Sequence, residues 1–457
     1  MPNLSSLNTS FTGLNAQRRA LDIIAHNVAN ASTEGYHRQR ADLVSLGTSA
    51  ASGVFAGRSQ SYGVDVIGVS RSYDTLLAAR AVREDAARTS ANTTTTSMST
   101  IEGIFPEPSD LGLASALDVF WSSWTDLAND PGNLANRTQL LENAQTLATS
   151  LHRMSNDLQG VADAAVSRMS TLGAEVNDLA SQLASLNSTI ASSFQSNNDL
   201  LDQRDLLVGK LANLTGAVGR TNANGTIDVY VGGRAIVSGT IVQTVDGTTG
   251  PLRWTSDSSP VNPTSGEAQA LTNVINDVVP RYKTLLDDVA STLVTNVNAL
   301  HSTGYDQTST TGRNFFDPAN LTAATISLST DVAGQPSHIA AGAPVLPGPT
   351  APGVLDGEQA RAIAALADAV GGADAKYSSF ITTLAVETRA TKNRADIQDQ
   401  VADNAIRDAD SVGAVSIDEE MAALTAAQRA YEANARVITV VDEMLGFLIE
   451  RTGTVGR

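Results

Sequence analysis

The sequence predicts a mainly α-helical protein carrying an inserted β-containing domain. Three observations carry that prediction. Apolar residues recur every three or four positions near both termini, the same period runs through a long central stretch, and the period changes to two between residues 216 and 262.

At the N-terminus, Leu4, Leu7, Phe11, Leu14, Arg18, Leu21, Ala25 and Val28 step alternately by three and four, with Arg18 the one polar member. Such a narrow stripe is that of a coiled-coil-like helix with a single packed face. It stops at Asn30, and Gly35 supplies a stop or turn. Residues 41–70 mix Gly and Ser with the alternating Val64, Val66 and Val69, predicting loop and strand. Helical character resumes near Tyr73 and continues to about Ile104.

After Pro131 comes the longest periodic stretch, from Arg137 to Ile190, which would span roughly 80 Å as one helix and has Gly160 and Gly173 as possible breaks. Residues 200–214 predict another amphipathic helix, ended by Gly216. Ile227, Val229 and Val231 then alternate with polar residues, and Gly232-Gly233 occupies a hairpin turn. Residues 266–303 are helical with a kink expected at Pro280. Residues 304–356 are expected to be irregular, and "APVLPGPTAPG" (343–353) a linker or surface loop. The last helix repeats the opening pattern: Ile417, Met421, Leu424, Gln428, Tyr431, Ala435, Ile438, Asp442, Leu445 and Ile449.

These elements suggest a nested organisation. Residues 1–70 and 400–457 form a terminal core of paired helices. Residues 71–215 and 357–399 form a long-helix domain that could include 266–303, and 216–356 an inserted outer domain of α+β or β type.

Composition narrows the function. The chain has 457 residues and a net charge of −18, which disfavours nucleic acid and anionic membranes as main partners. Residues 1–90 hold nine Arg and seven acids, whereas 401–457 hold five Arg and ten acids, so the ends attract. No cysteine is present, which removes disulfides, thiolate nucleophiles and Cys-based zinc sites. The first ten residues lack the basic and apolar regions of a secretory signal, and no apolar run is long enough to span a bilayer. The expectation is a soluble chain that stays in the cytoplasm unless another route exports it.

A search for chemistry returns none. His26, His37, His152, His301 and His338 form no close ligand pair, and His152 and His301 read as surface residues. Nucleophile-elbow, phosphate-loop and dinucleotide motifs are absent. Asp418-Glu419-Glu420 reads as acidic capping of the last helix, and "GYDQTSTTGRNFFD" (304–317) lacks a calcium-loop register. No catalytic, cofactor or metal site is expected.

Two motifs carry a resemblance. "ALDIIAHNVANASTEGYHRQR" resembles the N-terminal signature of bacterial flagellar rod, hook and hook-associated proteins, with Ala25, Asn27, Val28, Ala29, Asn30, Thr33, Gly35, Tyr36, Arg38 and Gln39 at matching positions. His26 and Glu34 stand where the pattern has Asn and Pro. "SIDEEMAALTAAQRAYEANARVITVVDEMLGFLI" resembles the family's closing helix, through Gln428, Tyr431, Ala433, Asn434 and Ala435. The helical middle is similar to the hook-associated, junction-forming members rather than to rod and hook proteins proper.

The resemblance implies a structural protein of the flagellum, outside the cell, exported without a cleaved signal through the flagellar type III apparatus. Its implied partners are copies of itself, hook protein below, a second junction protein above and a cytoplasmic export chaperone. Leu4, Leu7, Phe11, Leu14, Leu21, Asn27, Val28, Asn30, Gly35, Tyr36, Arg38 and Gln39 are the expected N-terminal subunit contacts. Met421, Leu424, Gln428, Tyr431, Asn434, Ala435, Ile438, Leu445 and Ile449 are expected to serve subunit or chaperone contacts at the other end. The alternatives are a rod or hook protein, and a secreted hydrolase carried on a flagellar export tail.

Overall fold

A computed structural model describes residues 2–46, 63–193, 197–344, 351, 353 and 355–452. Among the described residues, ten α-helices run α1 (Pro2–Asn30), α2 (Thr75–Ile104), α3 (Leu113–Asn129), α4 (Leu134–Ser192), α5 (Asn198–Thr215), α6 (Gly266–Asn273), α7 (Val279–His301), α8 (Glu358–Ala364), α9 (Ala373–Gly413) and α10 (Ile417–Thr452). Eight short strands are β1 (Gln39–Ser45), β2 (Val64–Arg71), β3 (Val218–Thr221), β4 (Ile227–Val231), β5 (Arg234–Ser238), β6 (Ile241–Val242), β7 (Val245–Asp246) and β8 (Arg253–Trp254). The mainly α class with a β-containing insertion is what the sequence predicts.

The chain divides into two compact units. One holds residues 1–86, 177–243 and 400–457, the other 87–176 and 244–399. Residues 177–243 thus cluster with the termini, whereas the sequence-based division placed 216–243 in an outer domain.

In the first unit α1 and α10 pack against each other. A Cβ added to Gly13 would approach Asn434 Oδ1 to 3.0 Å, and Asn27 Nδ2 donates to Glu420 Oε2 at 3.0 Å. From 13 to 27 along one helix the partner runs from 434 back to 420, so the pair is antiparallel. The buried stripe differs from the predicted one. On α1 it consists of Ser10, Gly13, Ala16, Ile23 and Asn27, and on α10 of Glu420, Ala427 and Val441, with half-buried Leu424, Tyr431, Asn434, Ile438 and Leu445 between them. The small side chains on α1 let the two backbones approach. Phe11, by contrast, is 56% exposed. The heptad pattern gave the helix and its period, but apart from Ile23 the buried face of α1 is made of small or polar residues.

β1 and β2 form an antiparallel ribbon with an irregularity at Asp42/Leu43. β3 to β6 form a four-stranded antiparallel sheet in sequence order. Gly232 and Gly233 make its predicted turn, with φ of 57° and 86°. Fully buried Asn187 of α4 holds this sheet: its Nδ2 donates to the carbonyls of Ile227 and Gly239, and its Oδ1 accepts from the Ile227 N–H.

In the second unit α4 continues unbroken through Gly160 and Gly173. Leu140, Leu147, Leu151, Met154, Leu158, Met169, Leu172 and Val176 are fully buried along it. The break expected at Pro280 takes the form of a π-turn at Val274–Val278, with Pro280 in the first turn of α7. Proline has no N–H to give, so the preceding turn widens and the Val279 N–H reaches Val274 O.

The irregular segment is found as expected, and the surface placement of His301 needs correcting. Residues 304–344 are irregular yet packed: Phe315, Phe316, Ile326, Val332 and Ile339 are fully buried. Asn298 of α7 fixes them, its Oδ1 accepting from the Phe315 and Phe316 N–H groups and its Nδ2 donating to Phe316 O. Most of the segment 345–352 lies outside the described residues. His301 is no surface residue. It is fully buried beside Trp124 and Phe315. His152 is half-buried, with Nε2 at 2.7 Å from Ile326 O. Periodicity placed both on helices but could not show the irregular chain that covers them.

The contacts of His301 define its proton. Nε2 accepts from the Ala340 N–H at 2.9 Å, so Nδ1 carries the hydrogen and donates to Arg313 O at 2.8 Å. Burial holds the imidazole down to about 4. Between that value and the unfolded value near 6.5 the unfolded chain binds more protons, so stability present above pH 6.5 is lost as the pH falls toward 4, by about 3 kcal/mol in all. Urea unfolding from pH 7.5 to 4 should show this extra loss in the parent chain and not in His301→Gln; parallel slopes would count against it.

Candidate assembly joint

α1 ends at Asn30, where the Asn30 side chain donates to His26 O and the Thr33 N–H to Asn30 O. Gly35 has φ of 75°, the left-handed region that glycine adopts without strain. A Cβ there would also come within 3.2 Å of Leu206 Cβ on α5. Glu34, in the place of the pattern's Pro, points outward with its carboxylate 3.9 Å from Lys210 Nζ. The chain thus reverses and returns Tyr36, Arg38 and Gln39 to the end of α1.

Asn27 sits at the centre, 1% exposed. Its Oδ1 accepts from Tyr36 OH at 2.8 Å and from the Gln39 N–H at 2.9 Å. Its Nδ2 donates to Gln39 O at 2.9 Å and to Glu420 Oε2 at 3.0 Å. A primary amide has two donors and room for two acceptor bonds, and all four positions are filled. Burial and the carboxylates of Asp199, Asp202 and Glu420 hold the Tyr36 phenol above its ordinary range, so it remains a donor.

Arg38 binds the start of α10. Its Nε donates to Glu420 Oε1 at 2.6 Å and its Nη1 to Glu419 Oε2 at 3.2 Å. The Arg38 N–H donates to Gly413 O at the end of α9. Glu420 is 1% exposed. The acidic triplet therefore does more than cap a helix: Glu419 and Glu420 reach across to the N-terminal motif, and both Glu420 oxygens are occupied there.

α5 closes the other side. Gln39 Nε2 donates to Asp199 Oδ1 at 2.7 Å, and Asp202 accepts from the His37 N–H at 3.0 Å. Arg71 of β2 donates to Asp202 and Asp205 at 2.8 and 2.7 Å and stacks on Tyr73 at 4.1 Å. Burial and the Asp205 charge push the Tyr73 phenol up to about 12. His26 Nδ1 lies 3.0 Å from Tyr36 OH.

The predicted residues fall into two groups. Asn27, Asn30, Gly35, Tyr36, Arg38 and Gln39 meet in this joint, within one chain. Leu7, Leu14, Leu21 and Val28 are half-buried and Phe11 is exposed, while the side chain of Leu4 lies outside the described residues. On α10, Leu424, Tyr431, Asn434, Ala435, Ile438 and Leu445 are half-buried, and Met421, Gln428 and Ile449 are exposed. Sequence reasoning missed Asp199, Asp202, Arg71, Glu419 and Glu420. The acid-rich "LLDQRD" opening of α5 and the opposite charge of the two chain ends are the signals that point to them.

Three family models match the sequence: the helical domain of flagellar hook-associated protein FlgK over residues 98–316, the C-terminal region of flagellar basal body rod FlgEFG proteins over 414–451, and flagella basal body rod protein over 7–37. Flagellar hook-associated protein 1 of Bacillus subtilis is 27% identical over 99% of both chains. The protein of that name from Salmonella typhimurium is 26% identical over 68% of this chain, which spans 59% of that relative. The solved flagellar hook junction protein FlgK from Burkholderia pseudomallei shares the fold at a TM-score of 0.63 and 16% identity, covering 72% of this chain and all of the other.

Glu420 is buried and Arg38 half-buried, so removing Arg38 strands a buried carboxylate. Arg38→Ala and Glu420→Ala should each lower the protection of α1 amides, and their combination should show a coupling of about 1–3 kcal/mol. Native-state hydrogen exchange reads this directly; strictly additive losses would mean the ion pair joins nothing.

Proposed function

We propose that the chain belongs with the flagellar rod, hook and hook-associated proteins and is the structural junction protein that assembles at the distal end of the hook and carries the filament. The observation that supports this best is the two-sided character of the terminal helix pair. One side is closed within the chain by the Asn27–Glu420 joint. The other leaves Phe11 on α1 and Ile417, Met421, Val437, Val440, Met444 and Phe447 on α10 between 43% and 56% exposed. A lone soluble chain rarely presents that many large apolar residues along one helix pair. Stacked copies would cover them, so assembly and firm ordering of the ends become one event.

Several finer readings accompany this role. Leu7, Phe11, Leu14 and Leu21, with Met421, Gln428 and Ile449, are the subunit contacts. The layer rests on hook protein and receives a second junction protein above. Export passes through the flagellar type III apparatus, with a cytoplasmic chaperone held along Met421–Ile449, and the mature protein lies outside the cell. The rod and hook alternative draws only on the two ends, since those matches cover residues 7–37 and 414–451. The relatives that match this chain are flagellar hook-associated proteins, which favours the structural reading over the hydrolase alternative.

A strain lacking the gene should make hooks without filaments, visible by electron microscopy. Phe11→Asp and Met421→Asp chains should be exported and folded yet leave the same bald hooks. Normal filaments from both would overturn the stacking role of this stripe, and absence of hooks in the deletion strain would favour a rod or hook component. A chain ending at residue 419 should lose the chaperone in a pull-down; undiminished binding would move that site elsewhere.

A further inference from the structure

The inner seam of the terminal helix pair contrasts with its outer stripe. Its apolar members are small or interchangeable: Ala16, Ala20 and Ile23 on α1, with Leu424, Ala427, Ile438 and Val441 on α10. Sliding α10 by one heptad, about 10 Å along the axis, would still set apolar residues against apolar residues. The polar members are not interchangeable. Asn27 meets Glu420 and Gly13 meets Asn434. From these two points Ile23 faces Leu424 and Ala20 faces Ala427. A slip in one direction sets Asn27 against Ala427 and Gly13 against Val441; in the other it sets Asn27 against Gly413 and leaves Glu420 beside Ala20. The first slip sets the Asn27 amide against an apolar side chain, and the second sets the Glu420 carboxylate against one.

We infer that the buried Asn27–Glu420 hydrogen bond and the close Gly13–Asn434 contact are register determinants: they select one heptad alignment of α1 and α10 out of several that apolar packing alone would accept. Arg38 reinforces the choice, because it is fixed by Gly413 and binds the second oxygen of Glu420. The register also sets where Phe11 falls against Met421, Val437 and Val440, and so sets the pattern of the outer stripe. Gly13 explains itself in the same way. A helix-interior glycine costs about 1 kcal/mol against alanine, and here the missing Cβ leaves room for the Asn434 amide at a distance a Cβ could not comfortably share.

The absence of cysteine makes the test clean. In the purified full-length chain, paired cysteines at 23 and 424 report the native register by disulfide formation. Pairs at 16 and 424, or at 23 and 431, report slips of one heptad either way. The parent background should favour the 23–424 bond by at least about tenfold, and with Asn27→Leu and Glu420→Leu the slipped bonds should rise to within about twofold of it. A second background moves the carboxylate one heptad along, by Glu420→Ala with Ala427→Glu, and should transfer cross-linking to 23–431. Retention of the 23–424 bond alone in both backgrounds overturns the inference, as does its absence from the parent chain. These outcomes do not depend on filament growth, so the junction role can fail while this stands, or the reverse.

Discussion

Asn27 offers four hydrogen-bonding positions, and each is met by a group that another part of the chain must bring. The Gln39 backbone returns only if the turn through Gly35 forms. The Tyr36 hydroxyl arrives only if that turn has the right length. Glu420 comes from the far end of the sequence. A buried primary amide left partly unpaired costs about 1–3 kcal/mol for each lost bond, so the site favours complete assembly over partial assembly. This constraint accounts for the packing together of Asn, Gly, Tyr, Arg and Gln within a few residues. A helix stop needs only the first two.

Charge extends the constraint outward. Arg38 and Arg71 each bind two carboxylates, and those four acids come from α5 and α10. The excess of basic residues near the N-terminus and of acids near the C-terminus is thereby resolved into particular pairs. Glu420 and Asp202 are buried, and their neutralisation by arginine and by N–H donors keeps the desolvation of those charges from becoming prohibitive. The chain ends are thus held through polar groups at their meeting point, with modest apolar burial along the helices beyond it.

Much of this fold was legible in the sequence, and the reasons it stopped being legible are physical. Period identified α1, α4, α5 and α10 but not α3 or the extent of α9, and the β-hairpin at Gly232-Gly233 followed from its turn chemistry. Period did not identify the buried face of α1. The reading assumed that the largest apolar residues face the partner helix, whereas close antiparallel approach selects Gly13, Ala16 and Ser10 and leaves Phe11 outside. The motif residues were found as a motif, but their partners were not, because Glu420 and Asp202 lie hundreds of positions away and acids at helix starts have a local explanation. Phe315 and Phe316 were lost in the same way: irregular chain has no period, and its burial depends on Asn298, a single residue that composition cannot distinguish.

The placement of large and small residues on the helix pair separates two tasks. Within the chain, small side chains and polar pairs give an interface that is specific and low in buried apolar area, so it discriminates alignments better than it adds stability. Toward the outside, Phe11, Met421, Val440, Met444 and Phe447 supply the area that hydrophobic association needs. If the large residues faced inward, a lone chain would be satisfied and would gain little by stacking. If the polar pairs faced outward, stacking would have to order the joint and align the helices at once. In the stacking we propose, the polar joint sets the alignment before any neighbour arrives, and the apolar stripe then gives each neighbour a fixed pattern to meet.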